Sequence, residues 1–187
     1  MKFQISNFKF QISNKGQSLA ELIIVMAVAV VVVGALVFAT IATTRNAQFA
    51  KNQAQATKLA QEGIEWVRIG RDRSPTTIIT GFTINGGPVA NWQDSKMWGP
   101  AAITSSCNPC YFRVSSTGNL NWIAAQSNGE LLPSPANPIF NRTILISDVV
   151  PADVTNFAIE KKVTAIVQWT DFAGSHESRL STILRKI

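Results

Sequence analysis

The sequence predicts an α+β chain in which one long N-terminal helix, apolar in its first half and amphipathic in its second, packs on a C-terminal antiparallel β-sheet. Three observations predict it. Leu22 to Ala39 carries no charged and no strongly polar side chain. Apolar or small residues then recur at 49, 56, 59, 60, 63, 64 and 67, the spacing of one helical face. Beyond Ser74-Pro75 the pattern changes to short alternating stretches broken by Gly, Asn and Pro, as strands and turns require.

The elements follow in chain order. Residues 1–16 are basic, lack an apolar core and contain a duplication, Lys2-Phe3-Gln4-Ile5-Ser6-Asn7 echoed by Lys9-Phe10-Gln11-Ile12-Ser13-Asn14. They suit a cytoplasmic leader more than a folded element. Residues 17–43 hold the apolar run. Its roughly 24 positions from Leu19 to Ala42 span, at about 1.5 Å per residue, a bilayer core of about 30 Å. The apolar region of a cleaved secretory signal is shorter, about 7–15 residues. Residues 44–72 continue the helix with a wet face that includes Lys51, Gln55, Lys58 and Glu62. The helical pattern is expected to break at Gly70, and Ser74-Pro75 closes it.

Residues 73–187 read as an extracytoplasmic β-rich domain. Thr76–Thr80 and Phe82–Ile84 flank Gly81, with Gly86-Gly87-Pro88 as a turn. Tyr111–Ser115 and Leu120–Ala124 form a hairpin around Ser116–Asn119, and Pro133, Pro135 and Pro138 mark a loop before the strand Phe140–Ser147. In Val163–Thr170, residues Val163, Ala165, Val167 and Trp169 share one face. Leu180–Leu184 returns after a loop at Asp171–Ser175. Such a sheet can bury its apolar face on the helical stripe.

Charge and composition exclude more than they assign. The net charge of +6 includes Lys2, Lys9 and Lys15; without residues 1–16, 14 basic and 11 acidic residues leave +3. The remaining basic residues are scattered, so a nucleic-acid surface is not expected. An enzyme is not expected either. The single histidine, His176, falls in the expected hairpin loop and reads as exposed, and Asp148, Asp153 and Asp171 read as isolated turn or cap residues. Gly86-Gly87 is followed by Pro88 and not by a helix, so no phosphate loop is present, and neither metal nor cofactor is implied. Asn141-Arg142-Thr143 matches a glycosylation acceptor, a pattern common by chance. Most of the five Trp read as core, with Trp92 and Trp98 in a loop-like stretch that could expose them. Cys107 and Cys110 stand before a strand and lack two further ligands. A turn-pinning disulfide is therefore favoured over a redox pair or a zinc site.

The stretch richest in information is Lys15-Gly16-Gln17-Ser18-Leu19-Ala20-Glu21, placed directly before the apolar run. A carboxylate at the mouth of a membrane helix is costly, and Glu21 therefore either reaches the interface or meets a cation from another chain. A short basic leader ending in Gly, then Leu and Glu at the third and fifth positions beyond it, resembles the prepilin signal of type IV pilins and pseudopilins. That resemblance implies cleavage between Gly16 and Gln17 by a prepilin peptidase, N-methylation of Gln17, and assembly through Leu19 and Glu21. Glu21 would pair with the α-amino group of a neighbouring subunit. Many members of the family have Phe where this chain has Gln17, which leaves cleavage little affected and methylation less secure.

The helix end Leu59-Ala60-Gln61-Glu62-Gly63-Ile64-Glu65-Trp66 and the final hairpin are similar to those of minor pilins and pseudopilins. The implied partners are the peptidase, other pilin or pseudopilin subunits, an inner-membrane assembly platform and the lipid bilayer. The implied location is a single-pass cytoplasmic-membrane protein with its C-terminal domain outside, and after assembly a pilus or pseudopilus. The alternative is a signal-anchored extracytoplasmic binding module that never enters a filament, in which Glu21 would be indifferent.

Overall fold

The computed structural model describes residues 19–84, 86–98, 107, 110–115, 117–132, 139–149 and 159–187. Helix α1, Leu19–Asp72, is 54 residues long. The chain divides into two compact units, Met1–Ala47 and Gln48–Ile187, and α1 contributes to both.

In the first unit the helical part of the chain is apolar on every side, and its few hydroxyls are satisfied locally. Thr40 and Thr43 donate to the Leu36 and Ala39 carbonyls at 2.8 Å each. A hydroxyl set among apolar side chains keeps a hydrogen-bond partner in this way.

The second unit opens with the remainder of α1, which buries Ala56, Ala60, Gly63, Ile64, Val67 and Gly70. Ala56, Ala60, Ile64 and Val67 share one core with Phe112, Ile144, Val163, Ala165, Val167 and Trp169. The strands are β1 (Ile79–Thr80), β2 (Thr83–Ile84), β3 (Gly87–Pro88), β4 (Cys110–Val114) and β5 (Leu120–Ile123), followed by β6 (Glu130–Leu132), β7 (Phe140–Asp148), β8 (Glu160–Asp171) and β9 (Gly174–Arg185). A short helix α2, Ser95–Trp98, precedes β4.

The main sheet runs β1-β5-β4-β7-β8-β9, with β6 also on β7, while β2 and β3 form a separate ribbon. One edge of β7 is shared: Phe140 to Arg142 pair with β6, and Ile144 to Ile146 with β4. β8 and β9 pair through twelve successive positions, from Glu160 with Arg185 to Asp171 with Gly174. The α+β class expected from the sequence is the class observed, a long helix on a mostly antiparallel sheet.

The differences have physical causes. α1 does not break at Gly70 but runs to Asp72, where tighter turns lead into Ser74-Pro75. Gly70 is a packing residue: a Cβ there would lie 2.5 Å from the Gly118 carbonyl oxygen. At Gly118, φ +83, an added Cβ would in turn lie 3.0 Å from the Trp66 carbonyl oxygen and 3.1 Å from Gly70 Cα, so the approach leaves no room for a side chain on either glycine. Gly70→Ala should therefore cost about 1–3 kcal/mol by overpacking, measured by urea unfolding of the full chain in detergent. Gly34→Ala, where a Cβ meets nothing within 4 Å, should be close to neutral.

Gly86-Gly87-Pro88 is not wholly turn, because Gly87 and Pro88 form β3 opposite Ile84 and Thr83. Pro is tolerated there because the ribbon has only two strands and its outer edge needs no donor. The β1–β5 pair is parallel, the exception in the sheet. β6 and α2 carry too few residues to show a periodicity. Trp92 and Trp98 are buried, at 2% and 1% exposure, with the Trp98 Nε1–H donating to the Trp92 carbonyl. Asp153, Pro133, Pro135 and Pro138 lie outside the described residues.

Candidate membrane and assembly segment

The segment begins at the first turn of α1, where Leu19 is 75% exposed and Glu21 is the acidic residue of that turn. A carboxylate beside a helix N-terminus is favoured by the macrodipole. Leu22, Ile23, Ile24 and Val25 follow and complete one full turn, and each is more than half exposed within the chain. With Val30, Val31 and Phe38 also exposed, the helix is apolar all round and not along one stripe. It is long and apolar enough to cross a membrane, with a mean hydropathy of 3.2 over its best window. Such a surface cannot face water at acceptable cost: each apolar side chain left wet forfeits about 1.5–3 kcal/mol. Gly16 and Gln17 lie outside the described residues. Cys107 and Cys110 are bonded, with Cα atoms 5.1 Å apart, at the entrance to β4.

Three polar clusters in the second unit were not legible as such. Arg142 is 2% exposed and points from β7 into the helix–sheet seam. It donates to Glu130 Oε2 through Nε at 3.0 Å and Nη2 at 2.6 Å, and to the Leu59 carbonyl through Nη1 at 3.0 Å. Gly63 makes room for it, since a Cβ there would meet Arg142 Cδ at 3.0 Å. The neighbouring Asn141 donates its amide to the Ser127 carbonyl at 3.1 Å from within a strand, an arrangement unlike an exposed glycosylation acceptor.

Asp148 is not isolated. It faces Lys161 across β7 and β8 in direct register, and both side chains are fully buried as an ion pair. Desolvation pushes the Lys161 pKa down further than its hydrogen bond and attraction to Asp148 raise it. The Trp98 ring lies 5.4 Å from Lys161 Nζ.

His176 is not an exposed loop residue. It lies in β9, stacks on Trp169 at 5.5 Å between centroids and meets the Phe49 ring edge at 5.0 Å. Its Nε2 is 2.9 Å from Asp171 Oδ1, which also accepts from the Ala173 N–H at 2.8 Å. Desolvation works to raise the Asp171 pKa, but the hydrogen bonds from Ala173, His176 and the Gly174 backbone, with the attraction to His176, prevail and hold it below the usual carboxylate range. Phe49, 40% exposed, is thus tied to the sheet by its ring and not by burial.

An open groove of about 480 Å³ lies nearby, lined by Leu131, Ile139, Phe140, Gln168, Thr170 and Ser175 among others. Among the described residues no three His, Cys, Asp or Glu side chains stand close enough to hold a metal ion. A long apolar N-terminal helix whose continuation packs on a C-terminal antiparallel sheet is a pilin-like architecture. No family model, curated protein or solved structure matches the chain.

Proposed function

We propose that this chain is a structural subunit of a type IV pilus or a type II secretion-like pseudopilus, cut between Gly16 and Gln17 and assembled through α1. One observation carries the reading: a single helix joins an all-round apolar segment headed by Glu21 to a stripe buried beneath a sheet. In the bilayer, lipid covers the apolar segment. In a filament the equivalent segments of neighbouring subunits replace lipid at little cost, because lipid chains and Val, Ile and Leu side chains are similarly apolar. Glu21 then needs a cation at its own depth, and the new α-amino group of a neighbouring subunit supplies one. Prepilin peptidase and an inner-membrane assembly platform are the partners this route requires.

Mass spectrometry of the membrane-extracted protein tests the cut. A chain beginning at Gln17 supports the reading, and an intact Met1 form in cells with active peptidase sinks it in favour of a simple signal anchor. Glu21→Ala should be processed normally yet enter filaments at least about tenfold less well, the effect of losing only about 1.4 kcal/mol per subunit. Wild-type incorporation of Glu21→Ala in a sheared-filament assay would rule out the charge pairing.

A further inference from the structure

We propose that the open groove on the sheet face turned away from α1 binds a neutral saccharide. The groove lies wholly within the second unit, and the proposal uses neither the cleavage nor the filament.

Strand register builds the groove. Leu131 pairs with Asn141 and Asn141 with Gln168, which sets these three side chains in one row across β6, β7 and β8. Thr170 pairs with Ser175 across β8 and β9. It shares the face of Gln168, two residues earlier in the same strand. Val167 and Trp169, of the opposite parity, lie in the core shared with α1, so the row occupies the other face. Ile139, just ahead of β7, also lines the groove. Its volume of about 480 Å³ falls within the range of small-molecule sites, about 300–1,000 Å³.

The lining narrows the ligand. Among the described residues no charged side chain lines the groove, so a phosphate, carboxylate or ammonium would find no counter-ion there. The side chains of Gln168, Thr170 and Ser175 make no hydrogen bond with any described residue. One amide and two hydroxyls, each able to donate and to accept, thus stand together unengaged. A wholly apolar ligand would strip water from them and give nothing back. Beside them Leu131 and Ile139, 42% and 53% exposed, supply an apolar patch.

A sugar ring answers this arrangement. Its hydroxyls donate and accept, its C–H face is apolar, and it carries no charge. An extended peptide fits less well, because peptides that join a sheet do so through main-chain bonds at a strand edge and this groove lies on a face. Gln168, Thr170 and Ser175 all belong to one hairpin that pairs through twelve successive positions, so their spacing is set before a ligand arrives.

The test is a printed array of neutral hexose and N-acetylhexosamine oligosaccharides beside sialylated and sulfated ones. It is probed with the full chain in a detergent that has no sugar headgroup. Dense printing offsets weak single-site affinity. Neutral glycans should retain the chain, and the same glycan in solution should release it. Gln168→Ala and Thr170→Val should each lower retention severalfold. Lys162→Ala, on the same face of β8 but outside the groove, should leave it unchanged. Retention of no neutral glycan, or of charged glycans alone, overturns the proposal. So does retention that survives both Gln168→Ala and Thr170→Val. All of these outcomes leave the filament reading standing.

Discussion

Lys161→Met should destabilise the folded unit by about 3–5 kcal/mol, because it takes away the ammonium that the buried Asp148 carboxylate faces across β7 and β8. Asp148→Leu should cost a similar amount for the mirror reason. The informative variant carries both changes. Desolvation already outweighs pairing at Lys161, so an apolar pair of similar volume should restore most of the loss, giving a coupling of several kcal/mol between the two sites. Urea unfolding of the four proteins in detergent completes the cycle, and additive losses would show that the two groups act independently. The Trp98 ring above Lys161 favours rescue by Met, whose thioether packs well against an aromatic face.

Arg142→Met should cost about 1.5–3 kcal/mol, the range for losing hydrogen bonds to a charged partner. The figure is lower than for Lys161 because Glu130 is 25% exposed and water can reach it once the guanidinium is gone. Arg142→Lys should recover less than half of the loss. A single ammonium cannot hold the Glu130 carboxylate and reach the Leu59 carbonyl at once, as the planar guanidinium does. Since the Leu59 carbonyl belongs to α1, the variant should also raise amide exchange around residues 56–67 before global unfolding. Unchanged exchange there would mean that the contact does not fasten the helix to the sheet.

The parts of the fold that were legible in the sequence are those in which one side-chain property repeats. The apolar run, the stripe at 49, 56, 59, 60, 63, 64 and 67 and the shared face of Val163, Ala165, Val167 and Trp169 repeat often enough to stand out; the structure buries Ala56, Ala60, Ile64 and Val67 of the stripe with those strand residues, while Leu59 is partly buried and Phe49 stays 40% exposed. What was not legible is where a polar residue takes an inward position. Arg142 keeps the parity of Phe140, Ile144 and Ile146, and Lys161 that of Val163 and Ala165. Both therefore lie on the inward side of their strands, which the polarity of a single residue does not reveal. His176 was misplaced for a related reason: Gly174 and Ser175 look like loop, yet β9 already pairs at Gly174 with Asp171. Gly70 resembled a helix terminator because the close approach of Gly118 is a tertiary fact with no local trace. Within the candidate segment, Glu21 stands out in the sequence because it is one charge at the head of an apolar run.

The tie between Thr57 and Ser178 spans 121 residues, and Phe49 waits on Trp169 and His176 in the same way. At about 5–20 residues per second of synthesis, the second half of α1 exists for on the order of ten seconds before the strands that cover it have been made. During that time Ala56, Ala60, Ile64 and Val67 have no sheet to lie against. The order of synthesis therefore runs opposite to the order of protection: the element made first is sealed last, by the final hairpin. A ribosome stalled before residue 160 should leave this stretch of helix open to proteases and chaperones, and completion of β8 and β9 should close it.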